Sequence, residues 1–195
     1  MNTGPAADLP VERHPWQPFI PSDPKILILG TFPPQQKRWA MDFYYPNPTN
    51  DFWKITGLLF LGDPGALYDR ASRSYRLDRI RELLENKGIA LSDSARTVQR
   101  LASNASDKYL RIVEPVDLSG LIAQMPHLRA IATTGQKAAS VIADITGTGV
   151  PPVAVPVPWN GINIWRMPST SRAYPLSPEK KAEAYRILYT HTGLL

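Results

Sequence analysis

The chain has 195 residues, 43% of them hydrophobic, which is enough to build one sizeable domain with a core of its own. Lys and Arg outnumber Asp and Glu by 22 to 17, an excess that suits a polyanionic partner without identifying one. Cysteine is absent, which excludes disulfides, thiolate zinc sites, cysteine nucleophiles and cysteine-ligated iron–sulfur clusters.

The three histidines are far apart in the sequence and lack the short spacing of metal ligands. They are His14, His127 and His191, and we expect no metal site. No apolar run approaches the length of a membrane span, and the N-terminus lacks a charged region followed by a hydrophobic one. These features predict a cytoplasmic protein without a membrane partner.

The first predicted elements surround a glycine at position 30. Residues 1 to 24 are rich in proline and have no apolar periodicity, which predicts a flexible N-terminal arm before a single domain of residues 25 to 195. Residues 25 to 29, KILIL, form a short apolar run typical of a strand covered on both faces, and Gly30 ends it.

Helices and strands alternate along most of the remaining chain. The predicted helices begin near Asn50, at Leu77, at Leu118, after Gly135 and, with Ser177 as the N-cap, at Pro178. The predicted strands begin at Ile89, Leu128, Val153 and Ile162, the last of them after an Asn-Gly turn at residues 160 and 161.

This alternation predicts an α/β fold, a three-layer α/β/α sandwich around a mainly parallel central sheet of about four to five strands. In such folds, ligands bind at the carboxyl ends of the strands. We therefore expect the loops that follow Leu29, Leu91, Thr134 and Met167 to gather along one edge of the sheet.

Two of these loops have the residues that a binding site needs. The segment DFYYPNPTNDFW, residues 42 to 53, mixes flat rings with amides, which suits a pocket that stacks a planar heterocycle. Ordinary packing for Tyr44 and Tyr45 and a plain N-cap for Asn50 are the alternatives. The segment MPSTSRAY carries three hydroxyls and Arg172, groups that commonly contact phosphates, although serine-rich turns are also common for structural reasons.

Three segments in this order, LGTFPP, YYPNPTNDFW and MPSTSRAY, resemble the uracil-DNA glycosylase superfamily. The resemblance is greatest to its hypoxanthine-DNA glycosylase and mismatch-specific branches, and it extends from Lys25 to about Leu188. It implies base-excision repair, in which a monomeric, metal-independent and cofactor-free enzyme flips a deaminated base, uracil or hypoxanthine, out of DNA and hydrolyses its N-glycosidic bond.

The resemblance also implies roles for single residues. Asn50 matches an active-site amide and is the catalytic candidate, and Tyr45 matches the ring that stacks on the flipped base. The other base-binding candidates are Gly30, Thr31, Phe32, Pro33 and Phe52. The DNA-binding candidates are Gly135, Gln136, Lys137, Pro168, Ser169, Thr170, Ser171 and Arg172.

Four positions depart from the family pattern. Phe32 stands where many members have a water-positioning Asn or Asp, and Met167 stands where they have a late His or Asn. Asn47 replaces a histidine, and Pro34 replaces a glycine and lacks the N–H that a glycine would donate.

These departures leave two other functions open. The chain could be a nucleic-acid-binding protein of the same fold that no longer cleaves, or an α/β enzyme that acts on free nucleosides or nucleotides. Asp42, Asp51 and Asp93 are the carboxylates nearest the predicted edge. Any of them could position water, although Asp51 also suits the first turn of a helix and the other two suit turns.

Overall fold

A computed structural model describes residues 9 to 101 and 107 to 195. The helices are α1 (Phe52–Leu61), α2 (Leu77–Lys87), α3 (Leu118–Ile122), α4 (Gln136–Thr146) and α5 (Pro178–His191). The strands are β1 (Val11–Arg13), β2 (Ile26–Gly30), β3 (Tyr68–Asp69), β4 (Ser74–Tyr75), β5 (Ile89–Asp93), β6 (Ala95–Arg100), β7 (Leu110–Pro115), β8 (Ala130–Thr134), β9 (Val157–Trp159) and β10 (Ile162–Met167). None of the described helices is long and apolar enough to cross a bilayer.

The central sheet has five strands in the order β5-β2-β8-β10-β9. The first four are parallel, and β9 pairs antiparallel with β10 at the edge. Every residue of β2, β5 and β8 is buried, as expected for short apolar strands covered on both faces. The predicted fold class is confirmed.

Helices cover both faces of this sheet, because alternate residues of each strand point to opposite sides. Ile26 and Ile28 of β2 belong to a core that also holds buried side chains of α1, α2 and α5. Leu27 and Leu29 face the other way, into a core shared with α3 and α4. The result is the three-layer arrangement that the alternation of elements predicts.

A second sheet, antiparallel and in the order β1-β6-β7, adjoins the central one and was not expected from the sequence. Ser94 alone separates β5 from β6, so the chain passes directly from one sheet to the other. Of the arm predicted for residues 1 to 24, the structure describes residues 9 to 24, and Val11–Arg13 pair there with β6. This pairing is long-range, which is why local composition suggested a loose segment.

The region before the last parallel strand also differs from its prediction. Val153 forms only an isolated bridge with Arg166, whereas the strand that pairs with β10 is Val157–Trp159. The predicted Asn-Gly turn does join these two strands, and both of its residues have positive φ. The hairpin therefore starts four residues later than the apolar run at Val153 indicated.

Candidate functional site

A broad cavity of about 1190 Å³ opens at the carboxyl ends of the four parallel strands. Strand register brings these ends together, because Gly30 is paired with Asp93 and Thr134 is paired with Met167. The cavity is lined by residues 30 to 34, 45 to 50, 134 to 137 and 169 to 175, with Arg38, Asp93, Arg100, Asp107, Lys108 and Ser140, although Pro48 does not take part.

Most of the predicted site residues line this single cavity. They are Gly30, Thr31, Phe32, Pro33, Tyr45, Asn50, Gly135, Gln136, Lys137, Ser169, Thr170, Ser171 and Arg172. Phe52 and Pro168 do not line it, because both are buried beneath it. Their predicted contacts with a base or with DNA stay predictions.

Tyr45 is presented by Phe52. The two rings are stacked with centroids 3.9 Å apart and planes 17° apart, so one face of Tyr45 is covered. The Tyr45 hydroxyl lies 3.1 Å from the Thr134 hydroxyl oxygen. Burial and then the charge of Asp93 raise the pKa of Tyr45 well above its ordinary value, so this ring stays neutral.

Asn50 has a fixed amide orientation. The backbone N–H of Phe52 donates to its Oδ1 at 2.9 Å, just before α1 begins. Since an N–H can face only the oxygen of the amide, the Asn50 Nδ2 group is turned away from the helix. Among the described residues, no protein group accepts a hydrogen bond from it. Asp51, not Asn50, is the N-cap residue of α1, so the plain N-cap alternative for Asn50 is wrong. The hydrogen bond from Phe52 leaves the Asn50 donor available.

The floor of the cavity carries a buried carboxylate that a histidine holds in place. Asp93 is 6% exposed, and its Oδ2 lies 2.8 Å from His14 Nε2. A Cβ added to Gly30 would come within 2.4 Å of Asp93 Oδ1, so only glycine permits this approach. His14 belongs to the segment predicted to be a loose arm, and no sequence pattern indicated its contact with Asp93.

A second carboxylate, Asp107, is a candidate that sequence reasoning missed. It lies between β6 and β7 in a short turn of 3-10 helix, and its Oδ2 accepts a hydrogen bond from Thr31 Oγ1 at 2.7 Å. Burial raises its pKa most strongly, the Thr31 hydrogen bond lowers it, and Asp93 raises it further. The second sheet brings Asp107 to the cavity, and the sequence held no signal for that sheet.

Helix α4 points its N-terminus at the cavity. Gly135 adopts a φ of 128° and packs against Ser169, since an added Cβ would lie 3.3 Å from the Ser169 Cβ. The first N–H groups of a helix lack intrahelical partners and favour anions. Lys137, in the first turn of α4, lines the cavity, as does Arg172. The start of α4 with Lys137 is therefore suitable for a phosphate.

The loop of residues 169 to 172 is anchored from below by a buried ion pair. Lys181 on α5 is 0% exposed and donates to Asp51 Oδ2 and to the Ser171 carbonyl, both at 2.8 Å. The Asp51 backbone N–H donates to the Thr170 carbonyl at 2.8 Å. Asp51 therefore joins the start of α1 to the loop that follows β10.

The remaining singled-out residues have different surroundings. Phe32 lines the cavity and packs edge-on against His14, with ring centroids 5.4 Å apart. Met167 is buried in the core and does not line the cavity. Asp42 is exposed and accepts a hydrogen bond from Trp16 Nε1 at 2.7 Å, away from the cavity. Of the three carboxylates weighed from the sequence, only Asp93 reaches the cavity.

No family model matches the chain. It is 33% identical over 125 residues to a protein of Methanosarcina acetivorans named hypoxanthine DNA glycosylase, and this match covers 64% of the chain and 72% of the relative. Its fold is similar to that of a solution NMR structure of a candidate uracil DNA glycosylase from the same organism, with a TM-score of 0.68. That comparison has 23% identity and covers 94% of this chain and 99% of the other.

Proposed function

Because the chain belongs to the uracil-DNA glycosylase superfamily, we propose that it is a DNA glycosylase that hydrolyses the N-glycosidic bond of a flipped deaminated base. The candidate bases are uracil and hypoxanthine. We further propose that the enzyme acts as a cytoplasmic monomer and needs neither metal nor cofactor.

The flipped base would stack on the free face of Tyr45. Base stacking on an aromatic side chain is worth about 1–3 kcal/mol, which offsets much of the cost of extruding the nucleotide from the duplex. Phe52 covers the opposite face of Tyr45, so the ring is held ready before the base arrives. Gly30 to Pro33 would form the side of the pocket against the base.

Asn50 carries the proposed chemistry. Cleavage of the bond leaves positive charge on the sugar and negative charge on the departing base. The Asn50 Nδ2 group, oriented by the hydrogen bond from Phe52 N–H to Oδ1, would donate to the base as this charge develops. Removal of one preorganised donor of this kind costs about 3–4 kcal/mol of transition-state stabilisation, by analogy with an oxyanion-hole asparagine.

The remaining candidates would hold the DNA backbone on either side of the flipped nucleotide. The N–H groups at the start of α4, with Lys137 beside them, would bind one phosphate. Ser169 to Arg172 would contact the strand and enter the gap left by the base. Pro168 and the Lys181 ion pair would set the position of this loop from beneath.

The test incubates the purified protein with labelled oligonucleotides that each contain one uracil, hypoxanthine or xanthine, in single-stranded and duplex form, followed by alkali and a gel. Asn50→Asp separates the two roles of the side chain, because it keeps the acceptor for Phe52 N–H and loses the donor. We expect a loss of cleavage of about two orders of magnitude or more with little loss of stability. Asn163→Ala, at the amino end of β10 and outside the cavity lining, is the matched control and should cleave normally.

Intact strands together with salt-sensitive DNA binding would instead favour a binding protein of the same fold that no longer cleaves. A thermal shift with nucleotides but not with oligonucleotides would favour an enzyme of free nucleosides or nucleotides.

A further inference from the structure

The loop after β2 has an apolar residue, Phe32, at the side of the cavity where an attacking water would need a polar partner. Among the residues that the structure describes, the carboxylates lining the cavity are Asp93 and Asp107. Asp93 lies close enough to Asp107 that its charge raises the pKa of Asp107. Either carboxylate could accept a hydrogen bond from the attacking water, which the Phe32 side chain cannot do.

Asp93 is already engaged. One of its oxygens faces His14 Nε2 at 2.8 Å, and the other is packed over the backbone of Gly30. The carboxylate is buried at the floor, where the strands end. A flipped base would enter the cavity ahead of its sugar, and its far edge would reach the floor beside Asp93. The sugar carbon that is attacked would then lie nearer the mouth of the cavity.

Asp107 is more exposed than Asp93. It is half-buried, and Thr31 Oγ1 donates to its Oδ2 at 2.7 Å. Thr31 immediately precedes Phe32, so this hydrogen bond holds the carboxylate next to the apolar position. No described group donates a hydrogen bond to the Asp107 Oδ1 atom. The second sheet thus brings a carboxylate from a distant part of the chain to the place that Phe32 leaves apolar.

The charges around Asp107 suit a general base, that is, a group that takes a proton from the attacking water. Burial and Asp93 raise its pKa, whereas Thr31, Lys137 and Arg100 lower it, and burial is the largest of these effects. A general base works best when its pKa lies closer to the working pH than that of an ordinary aspartate. The cations remain near enough to keep the ionised form accessible.

We propose, on the basis of the glycosylase function proposed above, that Asp107 positions and deprotonates the attacking water and that Thr31 orients its carboxylate. The water oxygen forms a bond to C1′ of the deoxyribose as the bond from C1′ to the base nitrogen breaks. The departing base keeps the electron pair of that bond. The proton of the water passes to the Asp107 carboxylate and from there to solvent.

The test measures single-turnover cleavage against pH for the wild type, Asp107→Asn, Thr31→Val and Asp144→Asn. Asp107→Asn should lower the rate by about 10²-fold or more and remove the acid limb of the profile, which lies where Asp107 gains its proton. Thr31→Val removes the interaction that lowers the pKa of Asp107, so the midpoint of the acid limb should move to higher pH. Asp144 is exposed on α4, and its variant should match the wild type.

A stability measurement separates catalysis from folding. Because the folded chain favours the protonated form of Asp107, ionisation of this group costs stability above the pKa of the unfolded state. The Asp107→Asn protein should therefore unfold no more easily than the wild type at pH 7. If Asp107 had a structural role instead, this variant would unfold more easily. A wild type that cleaves no oligonucleotide would overturn both proposals. A wild-type rate and pH profile in Asp107→Asn would overturn the role of Asp107 alone.

Discussion

The Lys181 ion pair should be essential to the stability of the chain, and Lys181→Met tests this. The substitution keeps the length of the side chain and removes its charge, which leaves the buried Asp51 carboxylate beside an apolar side chain instead of an ammonium group. Breaking a buried pair by removing one partner costs about 3–5 kcal/mol. Lys54 still lies 3.0 Å from the other Asp51 oxygen, with 41% of its side chain exposed, so part of the charge stays compensated.

We therefore expect the lower end of that range, about 3 kcal/mol, from Lys181→Met. For a chain of this size, such a loss corresponds to a fall in Tm of about 6–12 °C. The Ser171 carbonyl also loses its donor, so the loop of residues 169 to 172 should be less well held. DNA affinity should then fall even under conditions where the variant is fully folded.

Urea unfolding followed by tryptophan fluorescence gives the free energy, and thermal unfolding gives Tm. Lys180→Met is the matched control, because Lys180 is the exposed neighbour on the same helix and its variant should be within about 0.5 kcal/mol of the wild type. Adding Asp51→Asn to Lys181→Met should recover part of the loss, since it removes the uncompensated charge. A loss below about 1 kcal/mol in Lys181→Met would refute this account of the buried pair.

Three further predictions concern the cavity. Gly30→Ala should abolish cleavage and destabilise the fold, because the new Cβ would clash with Asp93 Oδ1. Gly149 has open space around it, so Gly149→Ala should behave as the wild type in the same cleavage and unfolding assays. Lys137→Gln should weaken DNA binding by the same factor for every sequence and reduce the slope of log K against log salt by about 0.9 on duplex DNA. An unchanged slope would show that Lys137 does not contact a phosphate. Tyr45→Ala should weaken the binding of DNA with a damaged base by about 1–3 kcal/mol, the value of the lost stacking, whereas Tyr45→Phe should keep most of the affinity. Titration with a fluorescent oligonucleotide measures both, and equal affinity of the two variants would exclude stacking.

Much of the central sandwich could be predicted from the sequence because its signals are local. The apolar run before Gly30 is buried on both faces in β2, and the helix predicted with Ser177 as its N-cap begins at Pro178. Strand ends in a parallel sheet share one edge, so the loops that follow them converge without further information. For this reason most of the predicted site residues line one cavity.

The tertiary structure alone decided which polar side chains meet there. His14 contacts Asp93 across 79 positions of the chain, and Thr31 contacts Asp107 across 76. Both contacts depend on the antiparallel sheet of β1, β6 and β7, whose pairing has no local signature comparable to helical periodicity. Composition and periodicity report only what each residue and its near neighbours prefer, whereas a carboxylate becomes a candidate base through burial and charges supplied by distant strands.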